Sequence, residues 1–106
     1  MKEFIICAAN RYDDGVVHPG QPININRGFI TCGRRHHNCI STFAQIVRFP
    51  YTQIGLKIMN TEVQGFLTNT NKFVTRKQAL IIARKAKQII TGEGNDNLGL
   101  FSEDLY

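Results

Sequence analysis

Short apolar runs separated by turn residues dominate the first third of the chain. The run "EFIICAA" (Glu3–Ala9) has the length of one strand, and "GFITCG" (Gly28–Gly33) predicts a second. Between them, the Asp-Gly pair of "NRYDDGVV" is a hairpin signal, so we expect a returning strand to begin at Val16 and Val17. The next segment, "HPGQPININRG", contains two prolines and two glycines and predicts a long irregular loop.

The pattern changes to a helical period at His36. Apolar residues then recur at three- and four-residue spacings, which predicts a helix from His36 to Phe49 that Pro50 ends. This apolar face comprises Ile40, Phe43, Ala44, Ile46 and Val47. The following segment, "PYTQIGLKIMNTE" (residues 50–62), fits neither period and is predicted to be a loop.

The last third of the chain predicts a hairpin followed by a helix. The segment "VQGFLTNTNKFV" has two apolar runs around "TNTN", whose Asn residues tolerate positive φ. Thr75 and Gln78 have the spacing of a capping box, so a helix is expected to start there and to end at Gly92 and Gly94. Its apolar face comprises Ala79, Ile82, Ala83, Ala86, Ile89 and Ile90. The tail "LGLFSEDLY" is too apolar to float free, so we expect it to dock on the domain or on a neighbouring subunit.

These elements predict one α+β domain over residues 1–106, with a small antiparallel sheet and two helices. No apolar run reaches 18 residues, so we expect no membrane-spanning helix. The first residues turn polar too early for a signal peptide, so we expect a cytosolic protein. Three cysteines are too few, and odd in number, for a disulfide framework.

Charge narrows the class of partner. Thirteen Lys and Arg against eight Asp and Glu give a net charge of +5, which favours anionic partners such as nucleotides, nucleic acid or acidic surfaces. The cationic residues of the last helix are Arg76, Lys77, Arg84, Lys85 and Lys87. Such a helix face is usually only solvated, and no aromatic residues interleave with it to stack on bases.

The segment "CGRRHHNC" has two cysteines, two histidines and two arginines within eight positions, and zinc binding is the first hypothesis that it suggests. Cys32, Cys39 and the two histidines between them are zinc-ligand types. Structural zinc sites, however, usually take ligand pairs from two segments, and here two arginines would face the cation. The spacing therefore disfavours zinc, and both cysteines are expected to pack as small apolar residues.

Two other readings of this segment remain. A cysteine activated by His36 or His37 would be a nucleophile, but no acidic residue is placed to orient the pair. Alternatively, Arg34 and Arg35 lie at a glycine turn before a helix N-terminus, which suits phosphate. The glycine and lysine pattern of a P-loop is absent. Phosphate binding and a simple solvated turn are both compatible with this spacing.

The hairpin and the tail add further candidates. Phe66 lies beside polar amides and is followed by Arg76 at a helix start, an arrangement that suits a base and its phosphate, although Phe66 is equally a core residue by pattern. In the tail, Glu103 and Asp104 lie between apolar anchors, where carboxylates cap helices, pair with cations or bind ribose hydroxyls.

Four stretches, in this order, resemble the first-described family of Thoeris anti-defence sponges, small phage proteins that counter Thoeris defence. They are "CAANRY" (Cys7–Tyr12), "GRRHH" (Gly33–His37), "QGFLTNTNKFVTRKQA" (Gln64–Ala79) and "LFSEDLY" (Leu100–Tyr106). The resemblance implies a binding protein and not an enzyme. Such a protein sequesters cyclic ADP-ribose isomers without cleaving them and takes no cofactor or metal. It also implies a dimer or hexamer in the cytoplasm of the infected host, with no membrane partner and no nucleic acid.

The resemblance also implies site residues. Phe66, Thr75 and Arg76 would contact the base and phosphate of the ligand, and Glu103 and Asp104 would complete that pocket. A second, phosphate-binding site for cyclic di- or trinucleotides would use Arg35 and His36, together with Arg34.

Two alternatives to a sponge stay open. One is a small basic phage protein that binds nucleic acid or a host factor through the last helix. The other is a hydrolase that acts on a nucleotide through cysteine and histidine or a metal.

Overall fold

The described part of the chain forms four antiparallel strands and three helices, which is the α+β class that the sequence predicts. The computed structural model describes residues 2–47, 53–91 and 96–106. The strands are β1 (Ile5–Tyr12), β2 (Phe29–Gly33), β3 (Val63–Thr68) and β4 (Phe73–Thr75). The helices are α1 (His36–Val47), α2 (Gln53–Met59) and α3 (Arg76–Lys85), and a 3₁₀ turn follows at Ser102–Asp104.

The sheet has the order β2-β1-β3-β4, so β1 and β3 are central and β2 is an edge strand. Ala8 pairs with Phe66, and Phe66 pairs with Val74, which places these three side chains in one row on the same face. Helices α1 and α3 and the tail cover this face with Cys39, Leu80 and Leu100. The core therefore lies between one face of the sheet and the two longer helices.

A second apolar cluster lies at the far end of β1. Tyr12 is fully buried, and its ring stacks on Phe43 of α1 with 3.9 Å between ring centres. Phe29 pairs with Tyr12 across the β1–β2 ladder and lies 5.8 Å from it, centre to centre. This aromatic stack fixes α1 on the sheet.

The β3–β4 hairpin forms as predicted. Asn71 in its turn has φ 61°, the left-handed conformation that Asn tolerates. Gly65 on β3 is needed because a Cβ there would lie 2.1 Å from the Val74 carbonyl oxygen and 2.8 Å from the Phe73 ring.

The expected returning strand at Val16 and Val17 is wrong. Both valines are exposed, and Val17 makes only an isolated parallel bridge with Gly28. The Asp13 and Asp14 carboxylates accept the N–H groups of Gly15 and Val16, which closes local turns in place of a ladder. The strand that returns beside β1 is β2.

Two further expectations about helices are wrong. Residues 53–59 form α2, where a loop was predicted, and α3 ends at Lys85, well before Gly92. Lys87 adopts φ 58°, and its N–H bonds to the Arg84 carbonyl while the Gln88 N–H bonds to the Ala83 carbonyl. This is a Schellman motif with lysine at the position that glycine usually occupies. The predicted ends of the first helix, residues 48–50, and of the last, Gly92 and Gly94, lie outside the described residues.

Candidate functional site

Arg76 is the first residue of α3, and the capping box that positions it forms as predicted. The Thr75 hydroxyl accepts the Gln78 N–H at 3.3 Å, and the Gln78 side chain accepts the Thr75 N–H at 3.0 Å. The Arg76 side chain then leaves the helix start toward β3 and the tail. Its Nη2 donates to Gln64 Oε1 at 2.6 Å, and its Nη1 donates to the Leu100 carbonyl at 2.8 Å.

Phe101 stacks on Arg76. The guanidinium carbon lies 4.5 Å from the centre of the Phe101 ring, within the range of a cation–π contact. Burial lowers the pKa of Arg76, and the Glu103 carboxylate acts in the opposite direction. Arginine remains charged in proteins, so Arg76 is a half-buried cation beside an aromatic ring.

Gln64 links Arg76 to a polar network inside the sheet. Its Nε2 donates to Glu62 Oε2 at 3.3 Å, and Glu62 Oε1 accepts the Tyr12 hydroxyl at 2.6 Å. Asn10 Nδ2 also donates to Glu62 Oε1, at 3.3 Å. Glu62 thus accepts one hydrogen bond from the Gln64 amide and one from the Asn10 amide. Because the nitrogen of the Gln64 amide points to Glu62, its oxygen is directed to Arg76.

Arg35 lies at the start of α1 and contacts the end of the tail. Its Nη2 donates to the main-chain oxygen of Tyr106, and its guanidinium carbon lies 5.3 Å from the centre of the Tyr106 ring. Arg34 lies against the same ring at 5.4 Å. Arg35 Nη1 is buried, lies 3.9 Å from Glu103 Oε1 and makes no hydrogen bond to the described residues. It is therefore a donor without an acceptor.

His36 lies between the two arginines. Its Nε2 is 2.8 Å from the Gly65 carbonyl oxygen, and since a carbonyl only accepts, Nε2 must carry the proton. The ring meets Phe66 edge-on at 5.0 Å between centres. Burial lowers the pKa of His36, and the positive charge of Arg76 adds to this, while the Gly65 bond opposes it.

Glu103 connects these groups electrostatically. It pairs with Arg35, and its charge raises the pKa of both His36 and Arg76. It is 67% exposed, so it lies at the mouth of the cluster. We call this cluster the tail site; its members are Arg34, Arg35, Gln64, Arg76, Phe101, Glu103 and Tyr106.

The tail site therefore carries three arginines against one carboxylate, with an aromatic ring against each guanidinium. A recess of about 270 Å³ adjoins it at Tyr106, lined also by Ile5, Ile6, Gln88 and Leu105. Cations beside aromatic rings and a recess with both apolar and polar lining form an arrangement that can hold a phosphate next to a planar base.

Comparison with known proteins identifies the family. The model of the phage T4 y16D protein family matches residues 4–106. The chain belongs to this family. It is accordingly a phage protein, and the family description names no biochemical activity. No curated protein and no solved structure matches the chain.

The tail site unites the two groups of residues that the sequence predicted as separate sites. From the predicted phosphate site come Arg34 and Arg35, and from the predicted cyclic ADP-ribose site come Arg76 and Glu103. His36 is the buried contact between the groups, because it bonds to β3 beside Phe66.

Three of the predicted ligand-binding residues support the fold instead of lining the tail site. Phe66 is fully buried in the core, so its ring does not face solvent. Thr75 caps α3, and Asp104 caps the 3₁₀ turn by accepting the Phe101 N–H and the Thr91 hydroxyl, each at 2.9 Å. Their predicted roles toward a ligand stay predictions.

Gln64, Phe101 and Tyr106 are site residues that the sequence reasoning did not select. Gln64 shares a face of β3 with Phe66 because side chains alternate along a strand, and this signal was present in the sequence. Phe101 and Tyr106 were expected only as tail anchors. Their contacts with arginines depend on where the tail crosses α3, which periodicity does not give.

The structure was also searched for metal-ligand clusters and for membrane-spanning helices. Within residues 2–47, 53–91 and 96–106, no three His, Cys, Asp or Glu side chains are placed to hold a metal ion. Of the residues considered for zinc, His36 uses Nε2 on Gly65 and Cys39 lies in the core. No helix in the described part of the chain is long and apolar enough to cross a membrane.

Proposed function

We propose that this phage protein is an anti-defence sponge that binds and sequesters cyclic nucleotide immune signals without cleaving them. Cyclic ADP-ribose isomers are the proposed main ligands, and cyclic di- or trinucleotides are a second class. The resemblance of the four sequence stretches suggests these ligands. The tail site supplies physical support, because it gathers the cationic and aromatic groups that such ligands need.

The observation that carries the proposal is that Arg35 and Arg76 both lie within electrostatic reach of the same carboxylate, Glu103. They come from the starts of different helices, yet the Glu103 charge acts on both. A ligand with two linked phosphates presents two anionic groups a few ångströms apart, which two fixed guanidinium groups can bind together. Arg35 Nη1 makes no hydrogen bond to the described residues, so it can donate to a phosphate oxygen once a ligand displaces the groups that bury it.

The other groups of the tail site suit the rest of a nucleotide. The recess beside Tyr106 has an aromatic wall on which a base can stack. The exposed Glu103 carboxylate can accept hydrogen bonds from ribose hydroxyls. The ligand would thus replace the long Arg35–Glu103 contact with closer bonds of its own.

Binding without cleavage agrees with the chemistry of His36. A general base needs an unprotonated nitrogen that the reacting group can reach, whereas the His36 ring is buried and held in place by its Nε2 bond to Gly65. The residues of the tail site are hydrogen-bond donors, aromatic rings and one carboxylate. This composition suits tight retention better than proton transfer.

The test is equilibrium binding of a cyclic ADP-ribose isomer and a cyclic trinucleotide, measured by calorimetry on the wild type and on single variants. Arg35→Ala and Arg76→Ala should each weaken binding of the ADP-ribose ligand at least tenfold, since each removes a charge-assisted contact to phosphate. Lys77→Ala is the matched control, because Lys77 is the exposed cation next to Arg76 on α3 and has the same charge.

The variants also distinguish one pocket from two. If a single tail site binds both ligands, both arginine variants weaken both ligands. If Arg35 belongs to a separate pocket, Arg35→Ala weakens only the cyclic trinucleotide. Normal binding by both variants, or no binding by the wild type, would refute the proposal.

Nucleic-acid or host-factor binding is the second candidate, and the exposed cations Lys77, Lys85 and Lys87 at α3 favour it. Affinity for nucleic acid should fall steeply with salt, because each neutralised phosphate releases counterions. Affinity of a nucleotide enclosed by the tail site should fall much less. Titration of a single-stranded oligonucleotide at two salt concentrations therefore separates the two functions.

A further inference from the structure

Two cysteines lie together on the face of the sheet opposite the core. Cys32 on β2 is directly opposite Ala9 of β1, and Cys7 precedes Ala9 by two residues. Side chains alternate along a strand, so Cys7, Ala9 and Cys32 point to the same face, with the cysteines as diagonal neighbours. The irregular register between Ile5 and Cys7 precedes this stretch and does not alter it.

The two thiols are neighbours and differ in exposure. The Cys32 and Cys7 thiols interact closely enough to shift each other's pKa. Cys32 is exposed and Cys7 is half-buried, whereas the third cysteine, Cys39, is completely buried on the opposite side of the sheet.

This interaction changes the acidity of the pair. The hydrogen bond from Cys32 lowers the pKa of Cys7 to about 7, although burial works against it. The pKa of Cys32 is raised in turn, because its proton is held by the Cys7 sulfur. Burial raises the pKa of Cys39 to about 11. A thiol whose pKa lies near the ambient pH combines thiolate population with nucleophilicity, so the pair is the reactive one.

We propose that Cys7 and Cys32 form a redox-active dithiol that low-molecular-weight disulfides, such as oxidised glutathione, convert to an intramolecular disulfide. Two interacting thiols on neighbouring strands, one of them open to solvent, make this pair a site for thiol–disulfide exchange. The pair adjoins the proposed nucleotide site, because the charge of Cys7 acts on Tyr106, but the redox proposal does not depend on nucleotide binding.

The exchange proceeds in two balanced steps. The Cys7 thiolate attacks one sulfur of the oxidant; a Cys7–glutathione bond forms, the oxidant's disulfide breaks and one glutathione thiolate leaves. Cys32 then loses its proton and attacks the Cys7 sulfur, which expels the second glutathione as a thiolate. In total the protein loses two protons and two electrons, and the oxidant becomes two thiols.

The resulting bond should be easily reduced. Diagonal neighbours in an antiparallel pair are about 7–8 Å apart, somewhat wider than the spacing that a relaxed disulfide prefers. Closure must therefore draw the strands together locally, which β2 can do because it is a short edge strand. Strained disulfides have higher reduction potentials, so reversible cycling is expected.

The test treats the reduced full-length chain with oxidised glutathione near neutral pH, without denaturant, and measures intact mass after acid quenching. The wild type should lose two hydrogen atoms and retain no glutathione, and peptide mapping should find Cys7 joined to Cys32. Cys32→Ser should instead retain one glutathione on Cys7, since the resolving thiol is gone. Cys39→Ala is the control and should behave as the wild type.

Other outcomes contradict the proposal. A wild type that stays fully reduced, that keeps glutathione on either cysteine of the pair, or that forms a disulfide with Cys39 has no such dithiol. Because peptide mapping of the wild type alone distinguishes these results, the test does not depend on the variants folding well.

Discussion

Arg76 and Leu100 exchange two hydrogen bonds. The Leu100 N–H donates to the Arg76 carbonyl at 2.9 Å, and Arg76 Nη1 donates to the Leu100 carbonyl at 2.8 Å. This reciprocal pair fixes the tail against the first turn of α3. The positions of Phe101 and Glu103, which follow directly, are therefore set by the same arginine that is proposed to bind phosphate.

Replacing Arg76 should destabilise the fold as well as weaken binding. Arg76→Ala removes two hydrogen bonds from a charged donor, each worth about 1.5–3 kcal/mol when buried. Because both bonds are only partly buried, we expect less than their full sum, a fall of about 2–4 kcal/mol in the free energy of unfolding. Lys77→Ala should change it by less than about 0.5 kcal/mol, as an exposed substitution does. Urea denaturation of both variants measures the difference. Equal stability of the two would mean that the tail is held by other contacts.

Gly99 permits the tail to cross Arg76. It has φ 83°, and a Cβ there would lie 2.5 Å from the Arg76 carbonyl carbon. Gly99→Ala should therefore incur the left-handed conformational cost of about 1–2 kcal/mol and, in addition, about 1–3 kcal/mol for displacing backbone. Gly20→Ala is the matched control, because Gly20 has φ 81° with nothing within 4 Å of the added Cβ. Thermal or urea unfolding should show the larger loss for Gly99→Ala; equal losses would contradict the close crossing.

His36 should make stability depend on pH. Its pKa in the folded chain lies below the ordinary value of 6.5, so its full contribution to stability is present above pH 6.5 and is lost as pH falls toward the folded value. The slope is at most about 1.4 kcal/mol per pH unit for one proton. Urea denaturation at pH 7.5 and pH 5.5 should show a smaller loss in His36→Gln than in the wild type.

His37→Gln is the control for that measurement, because His37 is exposed and adjacent in sequence. It should keep the pH dependence of the wild type. If His36→Gln and His37→Gln show the same dependence, burial of His36 does not determine it.

Local signals were sufficient for part of the fold. The capping box of Thr75 and Gln78 and the "TNTN" turn are each specified by a few neighbouring residues, so they could be predicted from sequence. The end of α3 could not be predicted, because Ile89 and Ile90 extend the helical period beyond Lys85. The helix stops because Gln88 is bonded through both amide atoms to the Ile5 main chain, at 2.8 Å each, and this contact spans almost the whole sequence.

The helix α2 was missed for a related reason. Ile54 is 74% exposed, and Gly55 is the buried residue of α2. The helix therefore buries no apolar face, and its sequence lacks the periodic apolar positions from which a helix is predicted. For the tail site, the sequence indicated Arg35 and Arg76 as cations at helix starts, and both lie there. Which ring lies on which arginine is set by the tail crossing, a tertiary feature.

Recovery of intact ligand tests the proposed sponge function most directly. The protein is mixed with a cyclic ADP-ribose isomer, unbound ligand is removed by filtration, and the retained protein is heated and its supernatant analysed by mass spectrometry. A sponge depletes the free ligand and releases it with unchanged mass on denaturation. Ligand that stays free in the filtrate, or that is released in altered form, would contradict the proposal.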